Sequence, residues 1–226
     1  MVRSVETEQL IRTLAHGVEP VERLRRPSLR AAAWAAGAVV YLGALILVMS
    51  PREDLGSRIQ DPRFLVEQCA ALLMGVTAAA AALASVVPGS PRRLLLLPLA
   101  PLTVWLGVVG FGAFQDVQSA GRGVELFQAD WRCVATVLVG AALPAFMMVR
   151  MLRRGAPLTP HLTAGLGGLA AAGLGNLGVC LFHPHSSNLV LLIWHSGTVL
   201  LLAALAAWIG ARVLRWPSHA RTANLA

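Results

Sequence analysis

The chain has 226 residues, of which 56% are hydrophobic and only 13% charged, against about 25% charged in an average soluble domain. Its net charge of +8 comes from 19 basic residues, every one an arginine, set against 11 acids. This composition excludes a disordered chain, a collagen-like fibre and a disulfide-stapled mini-protein, and it argues against a soluble fold, which needs more charge on its surface.

Residues 1–29 form the first element, an amphipathic head. Ser4 reads as an N-cap, with Glu6 and Glu8 in the first turn where carboxylates suit the helix dipole. Leu10, Ile11 and Leu14 share a face, and His16-Gly17 ends the helix. Pro20 starts a second short helix carrying Val21 and Leu24, and Pro27 breaks it. A hairpin this short buries little core of its own. Its apolar face is expected to lie on lipid headgroups or in the groove of a soluble partner.

Runs without any charged residue follow: Ala31–Ser50, Gln68–Pro91, Leu94–Gln115, Cys133–Val149 and Gly155–Ala211. A membrane-crossing helix needs about 20 apolar residues. Four runs hold one span each, and the last holds a helical hairpin turned at His183-Pro184-His185-Ser186-Ser187-Asn188. The expectation is an all-α membrane protein, a bundle of six transmembrane helices near residues 30–50, 64–87, 94–114, 133–152, 161–182 and 189–210. The head precedes this 30–210 domain and a tail, 211–226, follows it. The first span does not read as a cleaved signal: it ends in Val48-Met49-Ser50-Pro51, with no small-residue cleavage site.

The arginines orient the bundle. Fourteen fall on the side of the termini: Arg3, Arg12, Arg23, Arg25, Arg26 and Arg30, then Arg92 and Arg93, then Arg150, Arg153 and Arg154, and finally Arg212, Arg215 and Arg221. Five fall on the other: Arg52, Arg58, Arg63, Arg122 and Arg132. The positive-inside rule then predicts both termini in the cytoplasm.

That topology gathers polar residues at one depth. Cys69, Cys133 and Cys180 all fall in the outer part of the membrane domain, with His183 and His185 in the outer turn. Asn176 and His195 sit about 9 Å further in on the last two spans, where His195 is either a core histidine bonded to Asn176 or a functional ionisable group in the membrane. Glu67 and Gln68 head the second span, with Glu67 expected to be hydrated at the interface. Three chemistries fit: a Cys133–Cys180 disulfide, a soft-metal or zinc site drawing on His183 and His185, or a redox-sensing thiol. Against them stands a plain alternative, cysteines used as small apolar residues. Gly165, Gly167, Gly168, Gly173, Gly175 and Gly178 thin the fifth span for close packing, and Pro98, Pro101 and Pro144 are expected to kink the third and fourth.

No Walker A loop, HExxH, GxSxG or Cys-x-x-Cys occurs, and no intramembrane pair of carboxylates. The expectation is a protein that is not an enzyme, with no resident cofactor and at most a soft metal ion bound transiently as a signal. The arginines form no stripe suited to nucleic acid. Two rivals stand beside this reading, a membrane thiol oxidoreductase and a small transporter.

The head Leu10-Ile11-Arg12-Thr13-Leu14-Ala15, with Pro20-Val21-Glu22-Arg23-Leu24 and Pro27, resembles that of the NrsF-like proteins. Asp61-Pro62-Arg63-Phe64, Asp130-Trp131-Arg132-Cys133, Arg154-Gly155-Ala156-Pro157-Leu158 and Trp194-His195 extend the resemblance over nearly the whole chain. It implies a six-span protein of the bacterial inner membrane that acts as an anti-sigma factor for an extracytoplasmic-function (ECF) sigma factor. Such a protein holds its cytoplasmic partner at the membrane and releases it under stress, heavy metals being one class of signal. The docking residues would be Leu10, Ile11, Leu14, Val21 and Leu24. The resemblance further implies that two outer cysteines matter for the response. These fall on Cys133 and on Cys180, though Cys180-Leu181-Phe182-His183-Pro184-His185 departs from a pattern with the cysteine nearer the proline.

Overall fold

The structure is a computed structural model that describes residues 2–16, 24–119, 131–155, 157–183 and 187–214. Helices and short connections account for all of them, with no strand among the described residues. The head is α1 (Val2–His16). There follow α2 (Pro27–Met49), a short α3 (Leu55–Arg58), α4 (Pro62–Ser85), a 3-10 turn at Arg92–Leu96, and α5 (Leu99–Ser119). Then come α6 (Trp131–Leu152), α7 (Pro160–Phe182), α8 (Asn188–Val190), a π-helical stretch at Leu191–Ser196, and α9 (Gly197–Val213). Six of these stretches are long and apolar enough to cross a membrane: Pro27–Met49, Pro62–Ser85, Arg92–Ser119, Arg132–Leu152, Pro160–Phe182 and Asn188–Val213. The expected six-span, all-α architecture is therefore what the chain forms. Six crossings bring the chain back to the end of the bundle where it entered. We call this the proximal end, and the end at Met49, Pro62, Phe182 and Asn188 the distal end.

The boundaries follow from local chemistry. Pro27, Pro62 and Pro160 each open a helix, where a missing N–H costs nothing. Asp61 caps α4 by accepting from the Arg63 backbone N–H at 2.9 Å, and Ser187 caps α8 by accepting from Val190 N–H at 3.2 Å. α2 ends at Ser50, held at φ 65°, with Pro51 behind it. α5 continues to Ser119, past the residue 114 where apolar reading stops, because Gln115 and Asp116 find partners on other helices. α1 starts at Val2 rather than after an N-cap at Ser4.

α7 is the axis of the bundle. It packs on α9, α4 and α6, and more lightly on α2. Of its most apolar stretch 72% is buried, against 17% for α2, which places α2 on the periphery. The glycines make this possible. A Cβ on Gly140 would lie 2.9 Å from the Gly175 carbonyl oxygen, and one on Gly175 would lie 2.7 Å from the Ala141 nitrogen, so α6 and α7 touch backbone to backbone. Gly173 and Gly178 admit the ends of Met74 and Leu42 in the same way. The expectation that these glycines serve packing agrees with this geometry.

Candidate functional site

Two regions carry polar or unpartnered chemistry. The first is α1. Every side chain from Glu6 to His16 is exposed. Leu10, Ile11 and Leu14 form one apolar stripe that none of the described residues covers, at 59%, 56% and 62% exposure. Leu24, also exposed, lies just before α2, whereas Val21 is outside the described residues. A Glu8–Arg12 pair at 3.9 Å lies along the helix, too exposed to contribute much.

The second region is the distal end. Cys133 on α6 and Cys180 on α7 are both completely buried, and both stand as thiols. The Cys133 thiol, the Glu67 carboxylate and the Arg52 guanidinium lie close enough to act electrostatically on Cys180, with Gln68 beside it. Glu67 is buried rather than hydrated, because the α4 face that bears it packs inward beside Phe64 and Ala70; this overturns the expectation of an interfacial carboxylate. The Gln68 amide donates to Glu67 Oε1 at 3.2 Å.

Arg52 roofs this cluster. Its backbone N–H donates to Leu181 O at 3.2 Å and its guanidinium to Cys180 O at 3.4 Å. The last carbonyls of a helix lack intrahelical donors and carry partial negative charge, so a buried guanidinium suits them. Asp54 grips the other side of Arg52 through both carboxylate oxygens, one at 2.8 Å, and also accepts from Arg58 Nε at 3.2 Å. Hydrogen bonding from Arg52 first, then from Arg58, holds the Asp54 carboxyl down at about 2.

Deeper in, His195 Nδ1–H donates to Asn176 Oδ1 at 2.7 Å, both side chains fully buried. His195 lies on the π-helical stretch, a rare geometry that recurs at functional positions. Nothing in the sequence pattern marks that stretch. Neighbouring polar groups brace the rim. Arg63 donates to Gln115 Oε1 at 2.9 Å and to Val108 O at 3.1 Å, passing over Gly112, where a Cβ would collide with it. Asp116 accepts from the Asn188 backbone N–H at 2.6 Å and from its amide at 3.1 Å.

The residues expected at the outer end thus separate. Cys133 and Glu67 lie within electrostatic reach of Cys180, and His195 and Asn176 pair. His183 is half-buried at the end of α7, and His185 lies outside the described residues. Cys69 is exposed. It sits two residues after Glu67, about 200° around the helix, and lines an apolar groove of about 510 Å³ with Leu65, Leu73 and Val104. Among the described residues, no group of three or more His, Cys, Asp or Glu side chains is placed to hold a metal ion. Sequence reasoning missed Arg52. Its one signal was the Arg52–Asp54 spacing just after a Ser-Pro helix stop.

Comparison with known proteins agrees with this architecture. The family described as "NrsF: Negative regulator of sigma F" matches residues 14–216. A protein of Azospira oryzae, "Probable anti-sigma-F factor NrsF", is 28% identical over 218 residues, covering 94% of this chain and all of the relative. No solved structure matches the chain. A regulatory role, rather than an enzymatic one, is what such a family implies. The chain belongs to the NrsF family of negative regulators of sigma F, and is an anti-sigma factor built on six membrane-spanning helices.

Proposed function

We propose that the protein sits in the bacterial inner membrane with both termini in the cytoplasm, and that its head holds an ECF sigma factor there until heavy-metal or redox stress acts at Cys133 and Cys180. The observation that carries this reading is the uncovered stripe of Leu10, Ile11 and Leu14 on α1. A helix with an apolar face and no partner among the described residues suits a groove on a soluble protein. The excess of arginine at the proximal end supports the cytoplasmic placement.

The signal chemistry follows from the thiol pair. Two buried sulfurs, with no metal-holding group of three His, Cys, Asp or Glu among the described residues, suit a soft cation taken by two thiolates better than tetrahedral zinc. Binding a divalent soft ion releases two protons, one from each thiol. Oxidation by chromate would instead form a disulfide, passing two electrons to chromium and releasing the same two protons. A tenfold loss of affinity for sigma requires a difference of only about 1.4 kcal/mol between the two states.

The test uses the full chain in membranes with its sigma factor. Leu10→Glu with Leu14→Glu is expected to abolish co-purification of sigma while leaving the protein's abundance unchanged; retained sigma overturns the docking assignment. Cys133→Ser with Cys180→Ser is expected to keep sigma bound under cadmium. Normal release by that double variant overturns the thiol assignment.

A further inference from the structure

α2 joins the head to the bundle, and among the described residues three of its side chains donate to the backbone of α6. Arg30 Nη2 donates to Met151 O, Trp34 Nε1 to Pro144 O at 2.9 Å, and Tyr41 Oη to Val139 O at 2.7 Å. Just past the far end of α2, Arg52 bonds the Cys180 and Leu181 carbonyls of α7. The helix leading to the head is therefore tied to the two helices that carry the buried thiols.

α6 contains a weak point. Pro144 lies inside it. Proline has no N–H, so the Gly140 carbonyl loses its usual donor and the helix bends there more readily. Gly140 is also where α6 touches α7 backbone to backbone. α6 is thus pinned at Gly140 and weakened one turn later. Cys133 lies about 10 Å along the axis on one side of the pin and Met151 about 16 Å on the other. The bonds from α2 straddle the weak point: Tyr41 reaches Val139 on the thiol side, Trp34 reaches Pro144 itself, and Arg30 reaches Met151 on the head side. A change of bend in α6 cannot leave all three intact unless α2 moves. α2 lies at the periphery of the bundle, with one face (Ala31, Trp34, Ala38 and Leu42) in the core, so its movement disturbs packing along that face alone.

The geometry points to α6 as a lever pivoting at Gly140–Pro144, and to α2 as the element that reads its bend and passes it to the head, with Arg30, Trp34 and Tyr41 as the positioning residues. Coupling of this kind needs an element that the signal can bias between two arrangements, and the missing rung at Pro144 makes α6 easier to bend there. The inference deepens the proposed function and rests on its assignment of the signal to Cys133 and Cys180.

The experiment is amide hydrogen exchange on the full chain in lipid nanodiscs, with and without cadmium chloride. In the unaltered protein, cadmium is expected to change exchange on the Cys133 side of α6 and to speed exchange in residues 28–34 about tenfold. Tyr41→Phe removes only a hydroxyl, and Pro144→Ala restores the missing rung. Each is expected to keep the cadmium response near Cys133 while losing it in residues 28–34. If either variant passes the change to residues 28–34 as the unaltered protein does, or if the unaltered protein changes at α6 but not in residues 28–34, the lever is overturned. An unchanged cadmium response in Cys133→Ser with Cys180→Ser overturns instead the thiol assignment beneath it.

Discussion

α1 exposes every side chain from Glu6 to His16, whereas α7 buries 14 of its 23 residues. The exposed helix presents large apolar residues, Leu10, Ile11 and Leu14, and the buried one is built mainly of Gly, Ala and Leu. Within the six spans, size decides burial more than hydropathy does. Lipid tails are as apolar as leucine, so a large side chain gains little by leaving lipid for protein, while small residues allow backbones to approach. Leu47, Leu73, Phe111, Phe146 and Leu201 accordingly stay on the outside of the bundle. On α1, which is outside the six spans, the same exposure has a different meaning: its apolar stripe is available to a partner.

The contrast can be broken most sharply at its buried pole. Gly175→Leu forces side-chain atoms into the Ala141 and Gly140 backbone. It is expected to cost about 3 kcal/mol, read as a lower unfolding midpoint in detergent. Asn176→Leu keeps the γ-branched shape but removes the acceptor of His195 Nδ1–H. The expected loss is about 1–3 kcal/mol on the same assay. At the exposed pole, Leu14→Glu is expected to leave that midpoint unmoved and to weaken sigma binding about tenfold, measured by titration of the full chain in nanodiscs.

A smaller effect is expected at the distal rim. Asp54 has its pKa lowered to about 2 from an ordinary 3.8, so its ion pairing contributes stability that is fully present above pH 3.8 and is lost as pH falls through 2. Thermal midpoints taken between pH 4 and pH 2 should fall less for Asp54→Asn than for the unaltered protein. The smallest change is expected at Gly110, where a Cβ meets nothing within 4 Å. Gly110→Ala should alter stability by less than about 1 kcal/mol, in the favourable direction, unlike any substitution at Gly175.

Legibility in the sequence follows the range of each interaction. The spans could be read because a crossing helix must be apolar along its whole length, although Pro27, read as a break in the head, turns out with Pro62 and Pro160 to open a helix. The depth of Cys133, Cys180, Asn176 and His195 was readable for the same reason, since helical rise converts residue number into height. Which way each residue faces was not. Glu67 turns inward and Cys69 outward although they are two residues apart, because only the neighbours of α4 decide which of its faces is core.

The chain by itself therefore determined its six crossings, its arginine asymmetry, its amphipathic head and the level at which its polar residues lie. All of these are set by local composition against a slab of fixed thickness. The tertiary structure alone decided the Arg52 roof over Cys180, the Gly140–Gly175 contact, the π-helical seat of His195 and the ties from α2 to α6. Each joins residues far apart in sequence, and their meeting depends on how the helices rotate and pack, which no local pattern records.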